Sequence, residues 1–471
     1  MTESFQKDAI LELFNIDRSR VKEVDCHSEG GVMYVDLLLM PDYPPCPDCG
    51  CEKVQIKEYV LKRIKHSVLT DRKCIVRLKA RRYVCPVCHR TYYEYNPMCF
   101  TNRNISTLTV TNILKDLKEP AETFSAIGRR YKVSANTVAS ILDHHIIEPR
   151  RELPELMCWD EAYAFHHKGE NSKYVFTMLD YETVEPVDIL PSRRMEYLKS
   201  YFLKIPEEER KKVKMIATDM YEEYRSIIRS LFRTAYHSVD HYHVSQEMHR
   251  KLDRIRIKVM KSVPKYLPDS KVTTNEYYLL KTFNWMLFKR PDTMTKEGYL
   301  LFDPDAPRKM NRKLNRWLNY YDIRILIENI DPSLREAWDL KDSLVDFYDV
   351  NTYETAPAAL KELIRELSSS SVKEMNEFAR TLRRWQEEII NSFIVVKHRY
   401  KVDKDTGQVT VSEIKLNNGL MENRNSVIKT LKKAANGYSN WERFRTRCLY
   451  VLRKSSIPRL LNPVIPDKEK T

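Results

Sequence analysis

Two Cys-Pro-x-Cys turns, Cys46-Pro47-Asp48-Cys49 and Cys85-Pro86-Val87-Cys88, constrain this chain more than any other feature. Each places two thiols on one tight turn, close enough to supply two corners of a tetrahedral zinc site. Together they complete four sulfur ligands. The gap between the pairs is longer than the roughly fifteen to twenty residues of a compact finger, but two β-like runs within it, Lys53–Lys62 and Lys73–Tyr83, can form a hairpin that draws the pairs together. Ten cysteines are present, most of them between residues 46 and 99. In a reducing compartment such crowding reads as metal binding rather than as disulfides. A zinc ribbon with structural Zn2+ on Cys46, Cys49, Cys85 and Cys88 is expected, with Cys51, Cys74, Cys99 and His89 as possible substitutes.

The same module carries Lys53, Lys57, Lys62, Arg63, Lys65, Arg72, Lys79, Arg81 and Arg82, a density that suits phosphate contact. Over the whole chain the formal net charge is +14, which favours a polyanionic partner. Only 9 glycines occur, none spaced as a dinucleotide fingerprint or a phosphate-cradling loop, so nucleotide-driven chemistry is not expected. Met1–Arg20 is amphipathic, and no apolar run approaches the eighteen or so residues that span a bilayer. The expectation is a soluble, intracellular protein, with no membrane partner.

Glu122–Tyr131, then Lys132-Val133, then Ser134 onward fits helix, short turn and second helix, with Ser134 as N-cap. Ala126, Ile127, Val133, Val138 and Ile141 would interlock. Ala135 and Asn136 would face outward, where the second helix of a helix-turn-helix enters the major groove, and Arg130 would contribute to binding.

Beyond Pro149 and Pro154, Leu156–Phe165, Lys173–Tyr181 and Pro186–Leu190 read as three strands. A helix over Met195–Leu203, a strand at Lys214–Thr218, a helix at Glu222–Phe232 and a strand at Ala235–Asp240 follow. Three strands and then alternating helix and strand is the layout of an RNase H-like fold. From Val244 to about Val396 the chain reads as almost wholly helical, including Lys309–Tyr321 and Val372–Ser392, and a last helical stretch runs from Leu420 to Leu452.

Two-metal phosphodiester chemistry needs carboxylates from separate parts of a fold to converge. Asp160 follows the apolar Leu156-Met157-Cys158-Trp159, Asp219 ends Met215-Ile216-Ala217-Thr218, and Glu422 starts the last helical region after Asn417-Asn418-Gly419. Each occupies a position where an acid is costly without a cation. Asp180, Asp188 and Glu161 are alternatives of the same kind, and the residues alone leave them open. Glu422, Asn425 and Lys429 recur at three and four spacing and so share one helix face, with the lysine turned toward phosphate.

The chain resembles the insertion-sequence transposases of the ISL-three family nearly end to end. Arg81-Arg82-Tyr83-Val84-Cys85-Pro86-Val87-Cys88 resembles the family's zinc-ribbon exit, Trp159-Asp160-Glu161 its first catalytic strand and Thr218-Asp219-Met220 its second. Asp240-His241-Tyr242-His243-Val244 resembles the segment after the fifth strand, with Tyr242 where Phe is more usual. Asn418 to Asn425, then Lys429, Lys432 and Gly437-Tyr438, resembles the last catalytic helix.

The resemblance selects Asp160, Asp219 and Glu422 as the catalytic acids, holding two Mg2+ or Mn2+ ions. It implies double-stranded DNA partners, both terminal inverted repeats and target DNA, and a homodimer in the synaptic complex. Arg81, Arg82, Arg130, Ala135, Asn136, Asn425, Lys429 and Lys432 are the expected DNA contacts, while Asp240 and His243 are expected to serve as structural groups at a strand end. The fold class is multidomain α+β: a β module with the zinc ribbon (1–100), a helix-turn-helix (104–150), an RNase H-like core in two parts (155–245 and 411–471) and a helical insertion between them (246–410). The rival reading is a zinc-ribbon and helix-turn-helix regulator that performs no chemistry.

Overall fold

The computed structural model describes residues 8–12, 16–67, 72–100, 103–165, 173–402 and 409–460; the first seven residues of the amphipathic N-terminal stretch lie outside them. The chain is a mixed α/β protein with several separate sheets.

The first sheet contains β1 (Val21–Glu29), β2 (Val32–Leu39), β3 (Gln55–Lys65), β4 (Lys73–Val84) and β5 (Thr91–Tyr93), in the order β1-β2-β4-β3 with β5 on β4. Gly30 and Gly31 take φ of 57° and 75°, the left-handed pair that a two-residue hairpin between β1 and β2 requires. Antiparallel pairing sets Gln55 of β3 opposite Val84 of β4, so the chain entering β3 meets the chain leaving β4. One face of the sheet buries Val24, Val35, Leu37, Ile64, Val76 and Leu78.

Next come α1 (Thr107–Asp116), α2 (Phe124–Arg130) and α3 (Ala135–His145), capped by the side chains of Ser106, Thr123 and Ser134. Ile113, Leu114, Ile127, Val138 and Leu142 form their shared core. The turn between α2 and α3 lies so close to α2 that a Cβ on Gly128 would stand 2.7 Å from the Val133 carbonyl oxygen. Both partners are backbone, so Gly128→Ala is expected to destabilise the three-helix unit by about 1–3 kcal/mol, read as an earlier thermal transition. The β module is stitched to this unit: His66 Nδ1 pairs with Ser106 Oγ at 2.8 Å, and Ser67 donates from its backbone N–H to Thr109 Oγ1 and from its hydroxyl to the Tyr131 carbonyl.

The second sheet is built from β6 (Leu156–Tyr163), β7 (Tyr174–Asp180), β8 (Pro186–Leu190), then α4 (Met195–Leu203), α5 (Glu207–Lys211), β9 (Met215–Thr218), α6 (Glu222–Leu231) and β10 (Tyr236–Val239). The strand order is β10-β9-β6-β7-β8, antiparallel between β6, β7 and β8 and parallel where β9 and β10 join.

A large helical body follows: α7 (His241–Ser262), α8 (Asn275–Thr282), α9 (Tyr320–Glu328), α10 (Pro332–Val350), α11 (Ala356–Ser369), α12 (Lys373–Arg384) and α13 (Gln386–Asn391), sharing one apolar core. The helix expected over Lys309–Tyr321 is instead a short ribbon, β11 (Lys309–Asn311) against β12 (Arg316–Leu318). Helix begins only at Tyr320, because Asn319 and Asp322 form a reciprocal capping box that fixes the start there. A second ribbon, β13 (Val395–Val402) with β14 (Val409–Lys415), has no counterpart in the sequence reading.

The last stretch is two helices, α14 (Gly419–Ala434) and α15 (Trp441–Leu452), separated at Asn436 and Gly437, whose φ values of 53° and 101° no helix allows. The second sheet is thus covered on both faces, by α4 and α6 on one side and by α14 and α15 on the other. Helix α15 also holds the three-helix unit: Tyr450 Oη donates to the Leu114 carbonyl, and buried Arg447 donates to the carbonyls of Glu119 and Glu122.

Candidate active site

Strand alternation decides which side chains of β6 face which layer. Met157 and Trp159 point toward α4 and α6, where Trp159 stacks on Phe202 at 4.9 Å between ring centroids and meets Phe176, Tyr224 and Phe232. Cys158 and Ala162 point the other way, toward α14 and α15, and Asp160 shares their parity. On β9 the same alternation sends Met215 and Ala217 to that side, and Asp219 follows the strand's last residue, Thr218. Parallel register pairs Leu156 with Met215 and Cys158 with Ala217; Asp160 lies two residues further on within β6 and Asp219 directly follows the last residue of β9, near enough that the Asp160 charge acts on it.

Burial pushes the Asp160 carboxyl up to about 6, against a hydrogen bond from the Glu161 backbone N–H. The charges of Glu161 and Glu422 add to the rise and Lys429 opposes it. Asp219 rises further, to about 7, through burial first and then the charges of Glu161 and Asp160, with Arg193 opposing. Asp219 Oδ1 is buried without a hydrogen-bond partner. A pair of half-buried acids with an unpartnered oxygen is costly to ionise alone, and a divalent cation could supply both the missing charge and a partner for that oxygen.

Glu422 comes from the first turn of α14, and two asparagines tie that helix to β6. Asn418 donates from its side chain to the Trp159 carbonyl at 3.1 Å, and its backbone N–H donates to Asp240 Oδ2 at 2.7 Å. Asn425 donates to Asp160 Oδ2 at 2.7 Å and to the Glu161 carbonyl at 3.3 Å. The Glu422 side chain is exposed, and among the described residues the oxygens of Asp160, Asp219 and Glu422 do not gather within 4.8 Å of one another.

The competing acids are otherwise engaged. Glu161 faces the opposite layer, in an ion pair with Arg193 and accepting from Tyr224 Oη at 2.8 Å. Asp188 accepts from Tyr201 Oη at 2.7 Å and pairs with Arg445. Asp180 caps its own turn through Glu182 N–H and the Thr183 hydroxyl. Asp240 caps α7 at the end of β10 while holding Asn418, so it braces the strand end.

The four cysteines of the two turns come together, with every sulfur within 4.8 Å of the others. Cys46 Sγ lies 3.5 Å from Cys88 Sγ, and Cys49 Sγ lies 3.5 Å from Cys85 Sγ. The turns repeat one geometry: Gly50 N–H donates to the Cys46 carbonyl and His89 N–H to the Cys85 carbonyl, and both residues have positive φ. Backbone N–H groups of Cys88 and Val87 hold the Cys85 thiol down to about 6, against its desolvation. The cluster is thus chemically suited to zinc, and it forms without Cys74 and Cys99, which are buried in the β-module core.

The expected DNA contacts divide. Asn136 is exposed on α3 and Ala135 is half-buried beside it. Arg82 is half-exposed and pairs with Glu58, and Arg130 is held by Asp116 and Glu122. Lys429 is exposed, and Lys432 lies 4.2 Å over the Tyr163 ring. Two expectations need correction. Arg81 is only 2% exposed; it pairs with Glu94 at 2.8 Å and donates to the Leu39 carbonyl, so it ties the sheet together instead of facing solvent. Asn425 is 4% exposed and faces Asp160, not solvent.

No helix among the described residues is long and apolar enough to cross a membrane. In sequence, the chain is 20% identical over 404 residues to the transposase for insertion sequence element IS1001 of Bordetella parapertussis, an alignment covering 85% of this chain and 86% of that one. Residues 157–399, which begin in β6 and end in the ribbon before α14, match the transposase family of the ISL3 insertion sequences. With more than half of its length matched, the chain is a member of the ISL3 transposase family.

Proposed function

We propose that the second sheet is an RNase H-like catalytic core in which Asp160, Asp219 and Glu422 hold two Mg2+ or Mn2+ ions, cutting transposon ends and joining them to target DNA. The reading is carried by one observation: two acids on adjacent parallel strands, one within β6 and one just past the end of β9, both raised by burial and one with an unpartnered buried oxygen. When bound, a pair of divalent ions activates the attacking oxygen and stabilises the leaving oxygen of a phosphodiester. Asp160 and Asp219 are presented from rigid strands, and Glu422 from a helix tied to one of them. Lys429, one turn beyond Asn425 on that face, supplies positive charge toward the phosphate side.

The remaining modules serve recognition. The Cys46, Cys49, Cys85 and Cys88 cluster takes a structural Zn2+, and α3 presents Asn136 to the major groove of the terminal inverted repeats. Joining two ends in one reaction calls for at least two protomers. The test is strand cleavage on a duplex carrying the inverted repeats that flank the gene. Cleavage is expected to need Mg2+ or Mn2+ and to fall by roughly a thousandfold or more in Asp160→Ala and Glu422→Ala, since groups acting as one unit cannot be removed singly. Affinity for the duplex should persist. Wild-type cleavage in both variants would leave a DNA-binding regulator.

A further inference from the structure

Asn418, the residue that precedes α14, and Glu422, Asn425 and Lys429 within it recur at a four-three-four spacing that aligns them along the helix. Glu422 therefore stands between two asparagines. Both are almost fully buried, at 3% and 4% exposure, on a helix whose acid and lysine are exposed. Asn418 and Asn425 each spend their amide N–H on β6, on the Trp159 carbonyl and on Asp160 Oδ2. Their amide oxygens are buried without a hydrogen-bond partner. Burying an amide in this way costs free energy that an apolar residue at the same place would not incur, so packing alone does not account for the pair.

Resting on the catalytic reading above, we infer that Asn418 and Asn425 are positioning residues that fix α14 on β6, so that Glu422 is held over Asp160 and one Asp160 oxygen is left free for a cation. Asn425 carries the greater share. Its hydrogen bond holds Asp160 Oδ2 in place, and its second bond, to the Glu161 carbonyl, is a second tie between the helix and β6. Asn418 anchors the other end and is itself braced by Asp240 through its backbone N–H. A donor that orients a metal-binding carboxylate typically contributes about 10–100-fold to metal affinity or activity.

The experiment measures, on the full chain, cleavage rate against Mn2+ concentration, affinity for the same duplex, and thermal melting, for Asn425→Ala, Asn425→Ser and Asn418→Ala, with Asp160→Ala as reference. Asn425→Ala is expected to require about 10–100-fold more Mn2+ for half-maximal cleavage, to recover part of its rate at high Mn2+, and to bind DNA as tightly as wild type. Asn425→Ser, which keeps a shorter donor, should fall between, and Asn418→Ala should show the same shift more weakly. An unchanged Mn2+ requirement in Asn425→Ala overturns the inference. So does a rate loss that tracks lost DNA affinity, which marks a DNA contact, or loss of the native melt in both Asn425 variants at saturating Mn2+, which marks a purely structural residue. If Asp160→Ala itself cleaves, the catalytic reading is what fails.

Discussion

Asp219→Asn is expected to abolish cleavage and at the same time make the metal-free protein more stable. Asp219 titrates near 7 in the folded chain, against an ordinary value of 3.8. The folded state therefore binds a proton that the unfolded state releases throughout that interval. Stability from this group falls as pH rises from about 4 to about 7 and stays low above it. Asparagine has the same shape and no charge to desolvate, so it removes a penalty on the order of 2–4 kcal/mol at pH 8 and almost none at pH 4. Melting curves at the two pH values, without divalent cations, read this directly. A gain that is equal at both pH values, or absent at pH 8, would mean that the carboxylate is not strained as described. Mn2+ should stabilise the wild type at pH 8 and the variant much less.

Cys85→Ser should have the larger structural effect. Four thiolates on a structural zinc ion contribute roughly 10–16 kcal/mol in small zinc modules, more than most domains possess in total. Backbone N–H groups favour ionisation of the Cys85 thiol, and in the folded chain its sulfur stands 3.5 Å from Cys49. Zinc content should drop to background, and limited proteolysis should open the segment between Val21 and Tyr93. Because His66 and Ser67 join that segment to α1 and to the end of α2, DNA affinity should fall with it. Unchanged protease resistance in Cys85→Ser would remove zinc from the account.

The sequence made the strands of the second sheet plain because they are short apolar runs closed by an acid or a turn, and Pro186–Leu190 and Met195–Leu203 have the bounds read from the chain. Strands with one wet face were harder. β1 carries apolar residues only at Val21, Val24 and Cys26, so its alternation is weak, although Gly30-Gly31 was an available hairpin signal. The ribbon before α14 opens with Val-Val but continues Lys-His-Arg-Tyr-Lys, which has neither period. Within the candidate site, spacing assigned Asn425 to a helix face but could not say what lay opposite that face. A buried amide and a DNA-facing amide have the same letters around them. Arg81 shows the same limit: its place in a basic run concealed an acid thirteen residues later, Glu94, that folds back to pair with it.

The contacts that join the β module, the three helices and α15 leave little slack between the proposed reading head and the proposed cutting head. Arg447 is fully buried between α15 and the three-helix unit, and Arg453 just beyond α15 is equally buried against Glu148 and the carbonyl of Pro186. Under the proposed function the molecule then works as a caliper. If one protomer both reads and cuts an end, this packing sets the distance along the duplex from recognised sequence to severed bond, and an end displaced by half a helical turn, about five base pairs, would present the wrong side of the helix to the blade.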